Sequence, residues 1–136
     1  MFSRLSEWAA RLIAGQDGSA HVAEVVVSAS GFVLRLQRGT GPARNETVVW
    51  QEVKKVLAVN QPLPVGTEPV LWVLREGDAI QMTPQVQGWA AFLHACESHL
   101  PGSLPAGLWQ AQLLASEVGQ VIEVFSATPG KEGGAP

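Results

Sequence analysis

The run HACESH gathers this chain's one cluster of metal-binding or nucleophilic side-chain types: His94, Cys96, Glu97 and His99. Imidazole, thiolate and carboxylate groups can hold a metal ion, and a thiol beside an imidazole can act as a nucleophile with its base. Residues two apart on a helix project about 200° apart, so His94 and Cys96 cannot hold one ion. Cys96 and His99 are three apart and share a face, where a nucleophile–base pair could form.

A structural explanation of these residues is simpler. Cys96 falls on the same apolar helix stripe as Trp89 and Phe92, where a thiol behaves as a small buried hydrophobe. His99 lies in the last helical turn, where the helix dipole favours a positive charge. The chain also lacks the motifs C-x-x-C, H-E-x-x-H and G-x-S-x-G. We therefore predict no catalytic residue, metal ion or cofactor, and a protein that is not an enzyme.

The chain contains five tryptophans and four phenylalanines but no tyrosine. Such large side chains fill a core or anchor an interface, since each buries ~150–250 Å². The helical spacing of Trp89 predicts a core position. Trp50 and Trp72 lie in strand-like runs, and their side of the sheet depends on a register that the sequence leaves open. They are core residues or, if either faces outward, anchors for a protein partner, because interface hot spots are enriched in tryptophan.

Composition places the chain among globular proteins. Its 136 residues, 46% hydrophobic and 15% charged, fit a single domain. A net charge of −3 offers no field to hold a phosphate backbone, so nucleic acid is disfavoured as a partner. Cys96 is the single cysteine, as suits a reducing cytosol. Charges interrupt the apolar N-terminal residues and no apolar run reaches the ~20 residues of a membrane span, so we predict a cytoplasmic protein without membrane contact.

Apolar periodicity predicts the main helices and strands. A stripe at spacings of three and four predicts an N-terminal helix over about residues 3–14, which packs on the domain or on a second chain. Thr83 and Pro84 are typical of an N-cap and first helical position, and predict the start of an amphipathic helix that ends at Leu100-Pro101-Gly102. The predicted strands cover residues 21–28, 32–37, 46–50, 53–60, 70–75, 79–82 and 120–126.

The remaining segments complete one domain over residues 1–126. Three prolines predict an irregular segment at residues 61–69, and residues 108–116 form a short helix or turn. The Gly/Pro-rich residues 127–136 are predicted to be a disordered tail. The fold class is α+β: a bent antiparallel β-sheet of about six or seven strands, with the amphipathic helix packed against it and the N-terminal helix added.

A pattern of hydrophobic and turn residues extends over roughly residues 22–125. It consists of Trp50-x-x-Val53-x-x-Val56-x-Ala58, a strand pair, Gly88-Trp89-x-x-Phe92-Leu93 and Leu100-Pro101-Gly102. In this pattern the chain resembles a group of small uncharacterised bacterial proteins with a pleckstrin-homology-like fold. Some proteins of this kind occur beside polymorphic toxins and are thought to act as immunity proteins. The resemblance implies a bent sheet with a packed helix and a toxin as the protein partner.

Three functions follow as hypotheses. The first is a non-enzymatic binding protein that occludes or recognises a protein partner, with Trp50 or Trp72 as anchors. The second is a small-molecule or lipid-binding module with a pocket between sheet and helix. The third is a small enzyme that uses Cys96 and His99. We favour the first, and expect as a secondary feature a homodimer formed through the N-terminal helix.

Overall fold

The computed structural model describes residues 2–3, 20–38 and 40–127, which form an α+β fold. The described elements, in chain order, are β1 (Phe2–Ser3), β2 (Ala20–Val27), β3 (Gly31–Arg38), β4 (Arg44–Val49), a 3₁₀ turn (Trp50–Glu52), β5 (Lys55–Pro62), β6 (Thr67–Arg75), β7 (Asp78–Met82), α1 (Trp89–His99), α2 (Ala106–Leu114) and β8 (Val121–Ser126). The α+β part of the predicted fold class is therefore confirmed. The seven predicted strands correspond to β2–β8, with boundaries that differ by a few residues.

The strands form two antiparallel sheets. One has five strands in the order β1-β8-β5-β6-β7, and the other has three in the order β2-β3-β4. In the larger sheet β5 and β6 pair along their whole length, from Lys55 opposite Leu74 to Pro62 opposite Thr67. In the smaller sheet β3 lies in the middle, where Phe32 is opposite both Val27 and Val48.

One large hydrophobic core joins both sheets and the two described helices. The three-stranded sheet contributes the residues on one side of its pleat, while residues between them in sequence point away, as the period of two in a strand requires. α1 contributes Phe92, Leu93 and Cys96, and α2 contributes Trp109 and Leu113. The strand residues in this core are Val22, Val25, Phe32, Leu34, Val48, Val56, Ala58, Leu71, Val73, Ile80, Met82, Ile122, Val124 and Phe125.

The prediction of one bent sheet with about six or seven strands is wrong. The described residues form eight strands in two sheets. After β4 the chain enters the 3₁₀ turn, and β5 then pairs with β6 and β8 rather than with β4. Apolar alternation indicates where strands occur but not which strands pair. The division into two sheets could therefore not be predicted from the sequence.

The two chain ends are only partly described. Ser3, the first residue of the predicted N-terminal helix, lies instead in β1, opposite Val121 of β8. The rest of the predicted helix over residues 3–14 lies outside the described residues. The predicted tail begins at Ala127, whose N–H donates to the carbonyl of Lys54 at 2.9 Å. Residues 128–136 also lie outside the described part of the chain.

The predicted start of the amphipathic helix at Thr83 and Pro84 is wrong. α1 begins at Trp89. The residue before it, Gly88, has φ = 94°, in the left-handed region that glycine adopts far more readily than other residues. The helix end at Leu100 is confirmed, because its N–H donates to the carbonyl of Cys96.

Residues just before Gly88 pair with β2 instead of forming the first turn of the helix. The N–H of Gln87 donates to the carbonyl of Ala23 at 3.0 Å, and the N–H of Val25 donates to the carbonyl of Gln87 at 2.9 Å. This parallel bridge satisfies backbone groups that a helical turn would otherwise satisfy. A contact between distant parts of the chain therefore overrides the local N-cap signal.

The predicted irregular segment at residues 61–69 is also corrected. β5 and β6 continue into it, and only residues 63–66 form the turn between them. Pro69 is tolerated in β6 because pairing with β7 begins only at Leu71, so at Pro69 the strand has a partner on one side. At Pro69, β6 therefore pairs with β5 alone, and the strand continues through the proline.

Candidate interaction surface

Trp50 lies at the centre of an aromatic cluster in the core. It is 7% exposed, and its indole N–H donates to the backbone carbonyl of Ser28 at 3.0 Å. Its ring centroid lies 5.0 Å from Phe32, 6.3 Å from Phe92 and 5.1 Å from His99, and it is stacked on the last two. Such ring pairs stabilise by about 0.5–1.5 kcal/mol beyond the area that they bury.

This cluster settles which way Trp50 faces. The side chain points inward, so Trp50 is not exposed to anchor a partner, and its contribution is to packing. His99 stacks on it from the last turn of α1. The imidazole that could have served Cys96 as a base is thus in contact with an aromatic ring of the core.

Cys96 is buried on the core side of α1, 5% exposed. Burial, assisted by the charge of Glu97, raises the pKa of the Cys96 thiol to about 12. The thiolate is the reactive form of cysteine, so this side chain is a poor nucleophile near neutral pH. Glu97 has a separate role, because its Oε2 accepts the N–H of Ala106 at 2.7 Å and satisfies a free donor at the start of α2.

We expect Cys96 to make stability fall as the solution becomes alkaline. In the unfolded chain the thiol ionises near pH 8.5, whereas in the folded protein it keeps its proton until about pH 12. Between these values the folded state binds more protons, so the free energy of unfolding decreases by at most about 1.4 kcal/mol per pH unit. Urea unfolding at several pH values should show this slope in the wild type and lose it in Cys96→Ala. Equal slopes would contradict the assignment.

The described residues contain no group of three or more histidine, cysteine or acidic side chains that could hold a metal ion. Cys96 and His94 lie on different sides of α1, since Cys96 is buried and His94 is exposed. The described part of the chain therefore offers no donor set from which to argue for a metal. The prediction that the protein is not an enzyme stays a prediction.

An ion-pair cluster around Arg75 joins the two sheets. Arg75 Nη2 lies 2.5 Å from Oε2 of Glu46 on β4 and 2.5 Å from Oδ2 of Asp78 on β7, while Nη1 lies 3.6 Å from Oε1 of Glu52. Hydrogen bonding to Asp78, and then to Glu46, raises the pKa of Arg75 although burial opposes this. An open depression of about 560 Å³ beside it is lined by Gln51, Glu52, Lys54, Arg75, Glu76, Gly77 and Asp78. Because three carboxylates already surround Arg75, the cluster is explained as a link between the sheets.

Trp72 lies on the side of the five-stranded sheet that faces away from the main core. It is half-buried and packs against a second, smaller apolar cluster that includes Leu57, Leu74, Ala79 and Val121. Its cross-strand neighbours are Leu57 on one side and Gln81 on the other. Trp72 therefore faces away from the main core, as an anchor would, and its role in binding a partner stays a prediction.

The three-stranded sheet exposes an apolar surface that the sequence analysis missed. Val26 is opposite Val33, and Val33 is opposite Thr47, so these side chains form one row across the sheet. Val49 follows on the same side of β4. Val26 is 56% exposed, and Val33 and Val49 are 36% exposed each. We refer to Val26, Val33, Thr47 and Val49 as the valine face.

This composition is unusual for the solvent side of an antiparallel sheet, where polar residues normally alternate with buried apolar ones. A charged pair borders the face, since Arg35 Nη1 lies 3.7 Å from Glu24 Oε1. β4 is the outer strand of the sheet, so the face ends at a strand edge with which no other described strand pairs. The uninterrupted run Val25-Val26-Val27 was a usable signal, because a strand that is apolar at consecutive positions has two apolar sides.

Comparison with models of known families, with curated proteins and with solved structures finds no match to this chain. Among the described residues, no helix is both long and apolar enough to span a membrane. The described residues offer a reactive-looking cluster in which Cys96 and His99 pack in or against the core. They also offer an exposed apolar sheet face suited to contact with another surface.

Proposed function

We propose that this chain is a non-enzymatic protein-binding module that contacts its partner through the valine face. The observation that carries the proposal is the row of exposed β-branched side chains across β2, β3 and β4. Covering such side chains removes apolar surface from water, which stabilises a complex by roughly 25 cal/mol per Å² before the costs of association. Contiguous exposed apolar surface of this kind is typical of interaction sites.

The composition of the valine face indicates what kind of partner surface it would bind. Its centre is apolar and its border carries the Glu24–Arg35 pair, which matches the usual arrangement of an apolar interface core with a polar rim. The open edge of β4 adds backbone donors and acceptors that an extended segment of a partner could pair with. We therefore propose a protein partner with a flat apolar patch or an exposed strand.

The resemblance to pleckstrin-homology-like bacterial proteins beside polymorphic toxins suggests which partner to examine first. In that reading the chain is an immunity-type protein that blocks a toxin by covering its working surface. A toxin encoded by a neighbouring gene is the first candidate to express with this protein.

The proposal is tested by affinity capture from the source cells with wild-type protein and with the double variant Val26→Lys/Val33→Lys. Two buried charges at the interface would remain unpaired, so a partner seen with wild type should be lost with the variant. Leu63→Lys/Val65→Lys provides a matched control, because these exposed apolar residues lie in the turn between β5 and β6 and not in the valine face. Circular dichroism verifies that both variants are folded.

The captured protein is then purified and mixed with this chain alone. Direct binding that the valine-face variant weakens and the control variant leaves unchanged supports the proposal. Equal binding by wild type and the valine-face variant contradicts it. A chemical change in an added small molecule, sensitive to Cys96→Ala, would instead favour the enzyme hypothesis.

A further inference from the structure

α2 carries apolar residues on both its buried and its exposed side. Its residues from Ala106 to Leu114 include no charged side chain, and Trp109 and Leu113 pack in the core. On the other side Leu114 is 85% exposed and Leu108 is 46% exposed. Apart from Gln110 and Gln112, the residues of α2 are all apolar. A fully apolar helix is normally buried all round. The exposed side of α2 therefore has the composition of a contact surface.

The exposed side is arranged symmetrically about Ala111. At 100° per residue, Leu108 and Leu114 lie about 60° to either side of Ala111, and Gly107 and Ala115 lie about 40° to either side. Along the helix axis the members of each pair are also equally far from Ala111, at about 4.5 and 6 Å. All five residues are exposed, and a Cβ added to Gly107 would meet nothing within 4 Å. These five residues are the α2 outer face.

We infer that the α2 outer face binds the same face of a second copy of this chain, with the two helices antiparallel and Ala111 at the twofold axis. A twofold contact uses one patch twice, so the patch has to be complementary to itself. In this arrangement Leu114 of each copy lies over Gly107 of the other, and Leu108 lies over Ala115. Each large side chain meets a small one, and alanine at the axis permits an interaxial distance of about 8 Å.

Two observations select a second copy over other occupants. The order of large and small residues is the same read from either end of the face, which a contact with an unrelated helix does not require. The helix also has no charged side chain that would select a partner of opposite charge. This places the homodimer contact in α2 instead of the N-terminal helix predicted over residues 3–14. The contact is separate from the valine face and does not rest on the proposed function.

The contact is small, so the dimer should be weak. Stable interfaces bury about 1,200–2,000 Å², more than one pair of nine-residue helices supplies. We expect a dissociation constant in roughly the micromolar range. Sedimentation velocity of the full chain over about 1–300 μM should therefore show a concentration-dependent shift from monomer to dimer.

Gly107→Met tests the packing of the dimer separately from the fold. The new side chain fills the hollow that receives Leu114 of the other copy, so the dissociation constant should rise at least about tenfold. Folding should not suffer, because the site is open and methionine favours the helix more than glycine does, so the thermal midpoint stays or rises. Ala91→Met, at an exposed small residue of α1, is the matched control and should leave association unchanged.

Ala111→Cys tests the twofold axis. Helices in contact at this residue place the two sulfur atoms close enough for a disulfide, so mild oxidation should produce a covalent dimer. Ala91→Cys should not crosslink, and the buried Cys96 contributes little background. The inference is overturned by a wild type that stays monomeric throughout, by a dimer that Gly107→Met leaves intact, or by equal crosslinking of Ala111→Cys and Ala91→Cys.

Discussion

Replacing Trp50 with alanine is expected to lower the free energy of unfolding by about 3–5 kcal/mol, the range for deleting a large aromatic side chain from a core. The indole is 7% exposed and contacts three rings contributed by β3 and α1. Its removal also leaves the carbonyl of Ser28 without the indole donor. Urea unfolding followed by circular dichroism measures the change.

Two comparison substitutions, one at Trp50 and one at Trp72, separate the contributions of packing and hydrogen bonding. Trp50→Phe retains a ring in the cluster but loses the hydrogen bond to Ser28, so we expect a smaller loss of about 1–3 kcal/mol. Trp72→Ala should also cost less than Trp50→Ala, since Trp72 is half-buried in the smaller cluster. A Trp50→Ala protein as stable as the wild type would show that the aromatic cluster is not part of the folding core.

Gly88→Ala is the second substitution with a large expected effect. Gly88 has φ = 94°, and a Cβ there would lie 2.2 Å from the carbonyl oxygen of Val25, whose strand is held beside Gln87. The left-handed conformation alone costs an L-residue roughly 1–2 kcal/mol, and overpacking against backbone adds about 1–3 kcal/mol. We therefore expect a loss of roughly 2–5 kcal/mol in the free energy of unfolding.

Gly77→Ala provides the matched control for this prediction. Gly77 has nearly the same backbone angle, φ = 91°, but a Cβ there would meet nothing within 4 Å. Gly77→Ala should lower the free energy of unfolding by the conformational part alone. The difference between the losses in Gly88→Ala and Gly77→Ala therefore measures the effect of the contact between position 88 and Val25. Equal losses in the two proteins would contradict the close approach of α1 to β2.

Local patterns were enough to predict the strands and the end of α1. Alternation in β3, where Phe32 and Leu34 are buried and Val33 and Arg35 are exposed, is a property of neighbouring residues and can be read from the sequence. The start of α1 could not be predicted in the same way. Thr83 and Pro84 form a sound local N-cap signal, and the bridge between Gln87 and β2 that overrides it joins residues more than 60 positions apart.

The candidate surfaces also include features that could be predicted from the sequence and features that depend on contacts between distant residues. That Cys96 lies on the apolar stripe of α1 followed from helical spacing. The direction of Trp50 did not, because the residue lies in a 3₁₀ turn and not, as predicted, in a strand. The valine face needed the pairing of β2, β3 and β4, since Val26, Val33 and Val49 become neighbours only in the sheet. The sequence shows that α2 has no charged residue, but it does not show that one side of this helix is exposed.

The central claim is that the valine face is the working surface and that the HACESH residues and Trp50 belong to the scaffold. Its most direct test is the dissociation constant between this chain and its purified protein partner, measured for wild type, Val26→Lys/Val33→Lys and Cys96→Ala. We predict at least about tenfold weaker binding for the valine-face variant and a change of less than about twofold for Cys96→Ala. Unchanged binding by the valine-face variant, with a large loss in Cys96→Ala, would contradict the account.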